Sequence, residues 1–140
     1  MGKINLDNVR GKTFTVLADK EYENGALVGL GDLVEGEYNM YTAVEATSEN
    51  AYLVTTPEID RTSKSDSIDH TNKKGSHMRV HQLEKGDIFT VETDVAGDFE
   101  AGADVGVSGN KFVADGNFAK VIEKTKIGAD GRSAIALRVL

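Results

Sequence analysis

The chain has no cysteine and no tryptophan, a single proline, and only four tyrosines and five phenylalanines in 140 residues. Without cysteine there is no disulfide framework, no thiol nucleophile and no thiolate metal site, which fits synthesis in a reducing cytoplasm. Without tryptophan, the aromatic platform of a sugar-cleaving site is missing. Nowhere does the chain run to the ~18 consecutive apolar residues of a membrane span. Its first residues, MGKINLDNVRGK, lack the apolar core of a signal peptide. Myristoylation at Met1-Gly2 wants Ser or Thr at position 6, where Leu6 stands.

Positive charge is also scarce. Sixteen Lys and Arg face 23 Asp and Glu, for a formal charge of −7. Residues 1–56 hold nine acids and four bases, residues 57–78 four of each, and residues 79–140 ten acids and eight bases. No segment is basic enough to neutralise a phosphate backbone, so a nucleic-acid partner is not expected.

What the sequence does have is glycine, 15 residues of it, and apolar residues at 39%. That supports one domain, or two small ones near the lower size limit. The apolar residues alternate with a period of two, as in Phe14/Val16, Ala26/Val28/Leu30 and Ile135/Leu137/Val139, which is the pattern of half-buried strands. Turn signals punctuate them at Gly11, Asn24-Gly25, Gly31, Gly36, Gly86, Gly97, Gly102, Gly109, Gly116 and Asp130-Gly131. The expected fold is all-β.

The chain also repeats itself. RGKTFTV (10–16) is echoed by KGDIFTV (85–91), YENGALVGLG (22–31) by FEAGADVGVSG (99–109), AVEAT (43–47) by VIEKT (121–125) and AYLV (51–54) by AIAL (134–137). The offset grows in steps, 75, 77, 78 and 83, each falling between apolar stretches where turns tolerate insertions. The expectation is a duplicated short-strand module forming a β-sandwich or barrel with a pseudo-twofold relation. Its divisions are an N-terminal arm (1–9), a first repeat (10–56), a polar linker or extended loop (57–78) and a second repeat (79–140), the repeats sharing one core or packing as two barrels.

The repeat also disposes of some tempting motifs. Gly11-Lys12-Thr13 looks like the end of a phosphate-binding loop, but Leu6 stands where the first glycine belongs and Asp87 replaces Lys12 in the second copy. Gly11 therefore reads as a turn glycine, and Lys85-Gly86-Asp87 as the same turn repeated. His70, His77 and His81 fall within twelve residues, but the strand-leaning context gives no helix to set His77 and His81 on one metal-binding face. Neither an H-E-x-x-H pattern nor a regularly spaced carboxylate completes a metal set. Asp94, Asp98, Glu100 and Asp104 do not follow the calcium-loop order, and alternation along strands would scatter them. With no nucleophile elbow and few bases, neither catalysis nor a cofactor is expected.

The run KGDIFTV, EAGADVGVSGNKFV, AKVIEKT and SAIALRVL resembles small head-decoration (capsid cement) proteins of tailed bacteriophages, most clearly over residues 79–140. The resemblance implies a non-enzymatic virion protein on the capsid exterior, made in the bacterial host cytoplasm. Its partner would be the major capsid protein and its common state a homotrimer, with no nucleic acid and no membrane involved. The duplication and the long insertion depart from the simplest members. On this reading the contact candidates are the apolar residues of the arm, Ile4, Leu6 and Val9, and those of the insertion, Ile59, Ile68 and Met78. The remaining readings are a tail-tube subunit using 57–78 as a stacking loop, and a ligand- or carbohydrate-binding β-module.

Overall fold

A computed structural model describes residues 4–9, 11–36, 40–56, 71–127 and 131–140. The fold is nearly all-β and built from two sheets, one of them closed into a barrel. The barrel comprises β2 (Thr13–Leu17), β4 (Leu27–Leu33), β5 (Met40–Val44), β6 (Tyr52–Val54) and β8 (His77–Gln82), in the order β2-β5-β4-β6-β8. The second sheet has six strands. They are β1 (Ile4–Asn8), β9 (Ile88–Glu92), β10 (Asp104–Ser108), β11 (Lys111–Ala114), β12 (Ala119–Ile127) and β13 (Arg132–Val139), in the order β1-β9-β13-β12-β10-β11. A short ribbon pairs β3 (Tyr22–Glu23) with β7 (Thr71–Asn72), and α1 (Thr93–Ala96) is a single turn after β9.

The two-residue period decides which side chains go inside. In the barrel Val16, Val28, Val54, Met78 and Val80 are fully buried, with Phe14, Leu30, Tyr41 and Tyr52 packed partly buried against them. In the sheet the inward residues are Phe89, Val91, Val105, Phe112, Val121, Ile135, Leu137 and Val139. That cluster also takes Leu27, Ala46 and Leu53 from the barrel side of the molecule. Leu27 and Leu53 belong to barrel strands but point outward, so the barrel's outer surface caps the sheet's core. Gly25, at φ +97°, lies in this contact, and a Cβ there would stand 2.7 Å from Val91 Cγ1 and 2.9 Å from Ile4 Cγ2.

The repeated segments do fall on strands, β2 with β9, β4 with β10, β5 with β12 and β6 with β13. Their neighbours differ. In the barrel β2 runs parallel to β5, and β8 stands between β2 and β6. In the sheet β9 pairs directly with β13, and β13 with β12, all antiparallel. Nor does the tertiary division follow the sequence division. β8 completes the first body although His77 and Met78 fall in the expected linker and Arg79–Gln82 in the expected second repeat, while β1 joins the second body. Alternation in HMRVHQ sends Met78 and Val80 inward, and every other residue of the stretch is polar, which hides a barrel strand in a polar region.

The paired glycines of the repeat also have different causes. Gly86 is a left-handed turn residue at φ +92°, in a turn closed by Asp87 N–H on the Glu84 carbonyl (2.9 Å) and by Glu84 N–H on Asp87 Oδ2 (2.9 Å). Asp87 is buried, so the triplet Lys85-Gly86-Asp87 is a structural turn. Gly11 is not a hairpin turn residue. Any Cβ at that position would fall on the carbonyl of Gln82, because β8 passes directly beside it, and Gln82 N–H donates to the Lys12 carbonyl at 2.9 Å.

Candidate interaction surfaces

The N-terminal stretch is a docked strand. β1 runs antiparallel to β9 with Ile4 opposite Val91 and Asn5 opposite Thr90, then shifts register before Asn8 meets Ile88. Ile4, Leu6 and Val9 are half-buried against the sheet core, and Asp7 Oδ2 accepts the Thr90 hydroxyl at 2.7 Å. As the first strand in the sheet order, β1 is paired on one side only among the described residues. Beside it, on the face away from the core, a hollow of about 260 Å³ is lined by Asp7, Ile88, Thr90, Ile122 and Ala136 among others. A bulge between Val121 and Glu123 turns Ile122 out to 39% exposure, as bulges often do when they re-aim a side chain.

The other contact candidates do not join this edge. Met78 is fully buried inside the barrel, so it is no surface contact. Ile59, Ile68 and His70 lie outside the described residues. His77 is exposed on β8, and the His81 ring meets the Thr55 hydroxyl. The four acids do not gather at one site. Asp98 and Glu100 bind Lys124 at 3.1 and 3.3 Å, Asp104 binds Lys120 at 3.4 Å, and Asp94 sits in the first turn of α1. Hydrogen bonds to Asp98 and then Glu100 raise the Lys124 ammonium above the ordinary lysine value. Among the described residues no group of three or more His, Cys, Asp or Glu is placed to hold a metal ion.

A second surface, which the sequence did not single out, is the seam where barrel and sheet meet. Asn110, at φ +67° in the β10–β11 turn, reaches across it. Its carbonyl accepts Leu27 N–H (3.2 Å), its amide donates to the Leu27 carbonyl (2.9 Å), and its Oδ1 accepts Lys20 Nζ (3.2 Å). Lys20 Nζ also stands 5.5 Å from the centre of the Tyr22 ring. Burial, and after it the hydrogen bond to Asp19 (2.6 Å), push the Tyr22 phenol well above its ordinary value. Nearby, Asn24 exchanges hydrogen bonds with the backbone of Thr56 (2.8 and 3.1 Å), and Asn72 donates to Asn24 Oδ1 (3.2 Å) and the Tyr22 carbonyl (3.1 Å). The described chain on either side of residues 57–70 is therefore tied to the same residue, Asn24, which follows β3. Asn24-Gly25 and Gly109 were legible as turns; that the Asn110 amide also joins the two bodies was not.

Replacing Asn110 separates its two roles. Asn110→Ala leaves the Leu27 carbonyl without its amide and adds the cost of a left-handed alanine, together about 2–4 kcal/mol. Asn110→Gly loses the same amide and relieves the backbone cost, so urea unfolding should place it about 1 kcal/mol above the alanine variant. Equal stabilities would assign the whole effect to the amide.

Comparisons with family models, with curated proteins and with solved structures return no match for this chain.

Proposed function

We propose that the protein is a structural binding protein, acting through its surfaces and strand edges and not through a reaction. More particularly, it is a head-decoration protein of a tailed bacteriophage, seated on the outside of the expanded capsid, bound to the major capsid protein and strengthening the shell. The homotrimer implied by the resemblance belongs to the same proposal.

The observation that supports this reading best is β1. A short strand held to the body by Ile4, Leu6 and Val9 leaves one edge unpaired among the described residues. An edge of this kind receives an extended segment of a partner by strand addition, where backbone hydrogen bonds supply affinity and neighbouring hollows supply selectivity.

The test is co-sedimentation with purified phage heads. The protein is expected to pellet with expanded heads and to raise the temperature at which they release DNA; failure to bind them at any protein concentration overturns the reading. The edge itself is tested with Asp7→Pro. Asp7 lies within the register shift of β1, and a proline there removes one backbone N–H from the edge strand and fixes its φ. Head binding should weaken at least about tenfold, with the loss of the Thr90 partner costing about 1 kcal/mol of stability. Undiminished binding by this variant removes β1 from the proposal while leaving capsid decoration standing.

A further inference from the structure

One of the short ladders that close the barrel joins β6 to β8. β6 and β8 pair at three positions, Tyr52 with Gln82, Leu53 with His81 and Val54 with Val80. Beyond them the seam depends on Thr55 and Arg79. Thr55 N–H donates to the Arg79 carbonyl (2.8 Å), and Arg79 Nε donates to the Thr55 carbonyl (3.0 Å). The Thr55 side chain, on a residue 1% exposed, touches His81 Nδ1 at 2.5 Å.

A buried hydroxyl needs an acceptor for its proton. The arrangement that satisfies Thr55 is donation to a bare Nδ1, which requires a neutral ring. Protonating His81 places a hydrogen on Nδ1, so the hydroxyl proton loses its acceptor in a site closed to water. It also sets a second cation beside Arg79, two positions away on the same outward side of β8. The strands flanking His81 offer nothing in return, since its cross-strand neighbours are Thr13 on β2 and Leu53 on β6. Among the described residues Asp87, just before β9, is the carboxylate that favours the charged ring, and its Oδ2 already accepts Glu84 N–H.

We propose that the β6–β8 seam is an acid-operated clasp: protonation of His81 opens the barrel while the six-stranded sheet stays folded. Two features make the opening local. The barrel interior is a hydrophobic cluster of its own, as a unit that opens by itself requires, and of β6 only Leu53 is shared with the sheet core. In addition, the six described strands of the sheet contain no histidine.

Burial first, then Arg79, hold the His81 imidazole below its ordinary value of 6.5, against the smaller opposing pull of Asp87. With the folded value depressed, the open form takes up the proton first as pH falls. The clasp is at full strength above about pH 6.5, weakens between there and the folded value, and loses nothing more below it.

Hydrogen exchange followed by mass spectrometry between pH 8 and pH 5 tests this, expressed as protection factors so that intrinsic exchange cancels. Protection of β6 and β8 should fall by up to about tenfold per pH unit within the window, the limit for one coupled proton, while β9, β12 and β13 keep theirs. His81→Gln should abolish the fall in β6 and β8, and the exposed His77→Gln should leave it unchanged. Parallel loss of protection in barrel and sheet, or an unaltered pH response in His81→Gln, overturns the clasp. Should His81→Gln not fold, NMR titration of the wild-type ring decides: a value at or above 6.5 overturns the proposal, and one below it supports it.

Discussion

Truncating Phe89 to alanine is expected to cost about 3–5 kcal/mol, measured as a shift in urea unfolding. Phe89 is fully buried on β9, with β1 on one side and β13 on the other, and its ring stacks on Phe112 with centroids 6.1 Å apart. Its removal opens a void in the one cluster to which both bodies contribute, where Leu27 and Leu53 from the barrel meet the sheet. Its counterpart in the repeat, Phe14, is only half-buried, with Tyr41 and Tyr52 edge-on at 5.8 and 5.7 Å. Phe14→Ala should therefore cost roughly half as much, about 1.5–2.5 kcal/mol. Equal losses would mean that the two repeats carry equal shares of the core, contrary to the packing.

Replacing Arg132 with methionine is expected to cost about 3–5 kcal/mol. Arg132 Nε stands 3.1 Å from Glu92 Oε2, and the two side chains are only 15% and 6% exposed. Glu92 ends β9 and Arg132 begins β13, so the pair joins the strand ends at the centre of the large sheet. Removing the cation leaves a carboxylate buried without its compensating charge, a larger penalty than the pair's own net contribution. The double variant Glu92→Leu/Arg132→Met removes both charges and should recover most of the loss, to within about 1 kcal/mol of the parent. Chemical denaturation of the two variants checks the cycle, and a double variant no more stable than Arg132→Met would contradict this account.

Much of the local structure was legible in the sequence. Alternation around Phe14, Val28 and Leu137 identified strands, and Gly86 and Gly109 identified turns, because both signals depend on neighbouring residues alone. Asp87 in place of Lys12 was enough to set the phosphate-loop reading aside. Other positions were misread for the same reason. Gly11 carries the signature of a turn, but its need for glycine comes from Gln82, seventy-one positions further on. Met78 looked like an apolar residue in a polar linker, and it fills a barrel whose other walls are far away in the chain. His81 showed only the lack of a metal pattern, and the burial of Thr55 beside it could not be read from either residue.

Composition, strand periodicity and turn chemistry settle that this is an all-β chain whose strands occur in two similar series. They are properties of a few consecutive residues, and each residue's face follows directly from a period of two. Which strand lies beside which is another matter. The same Phe-Thr-Val strand runs parallel to β5 in one body and antiparallel to β13 in the other, because pairing depends on which edges remain open when distant segments meet. Folding brought β8 into the gap between β2 and β6, placed β1 at the edge of the other sheet, and set Asn110 and His81 at their junctions. Those junctions are made of contacts between residues far apart in sequence, whose energies exist only once the chain has closed on itself.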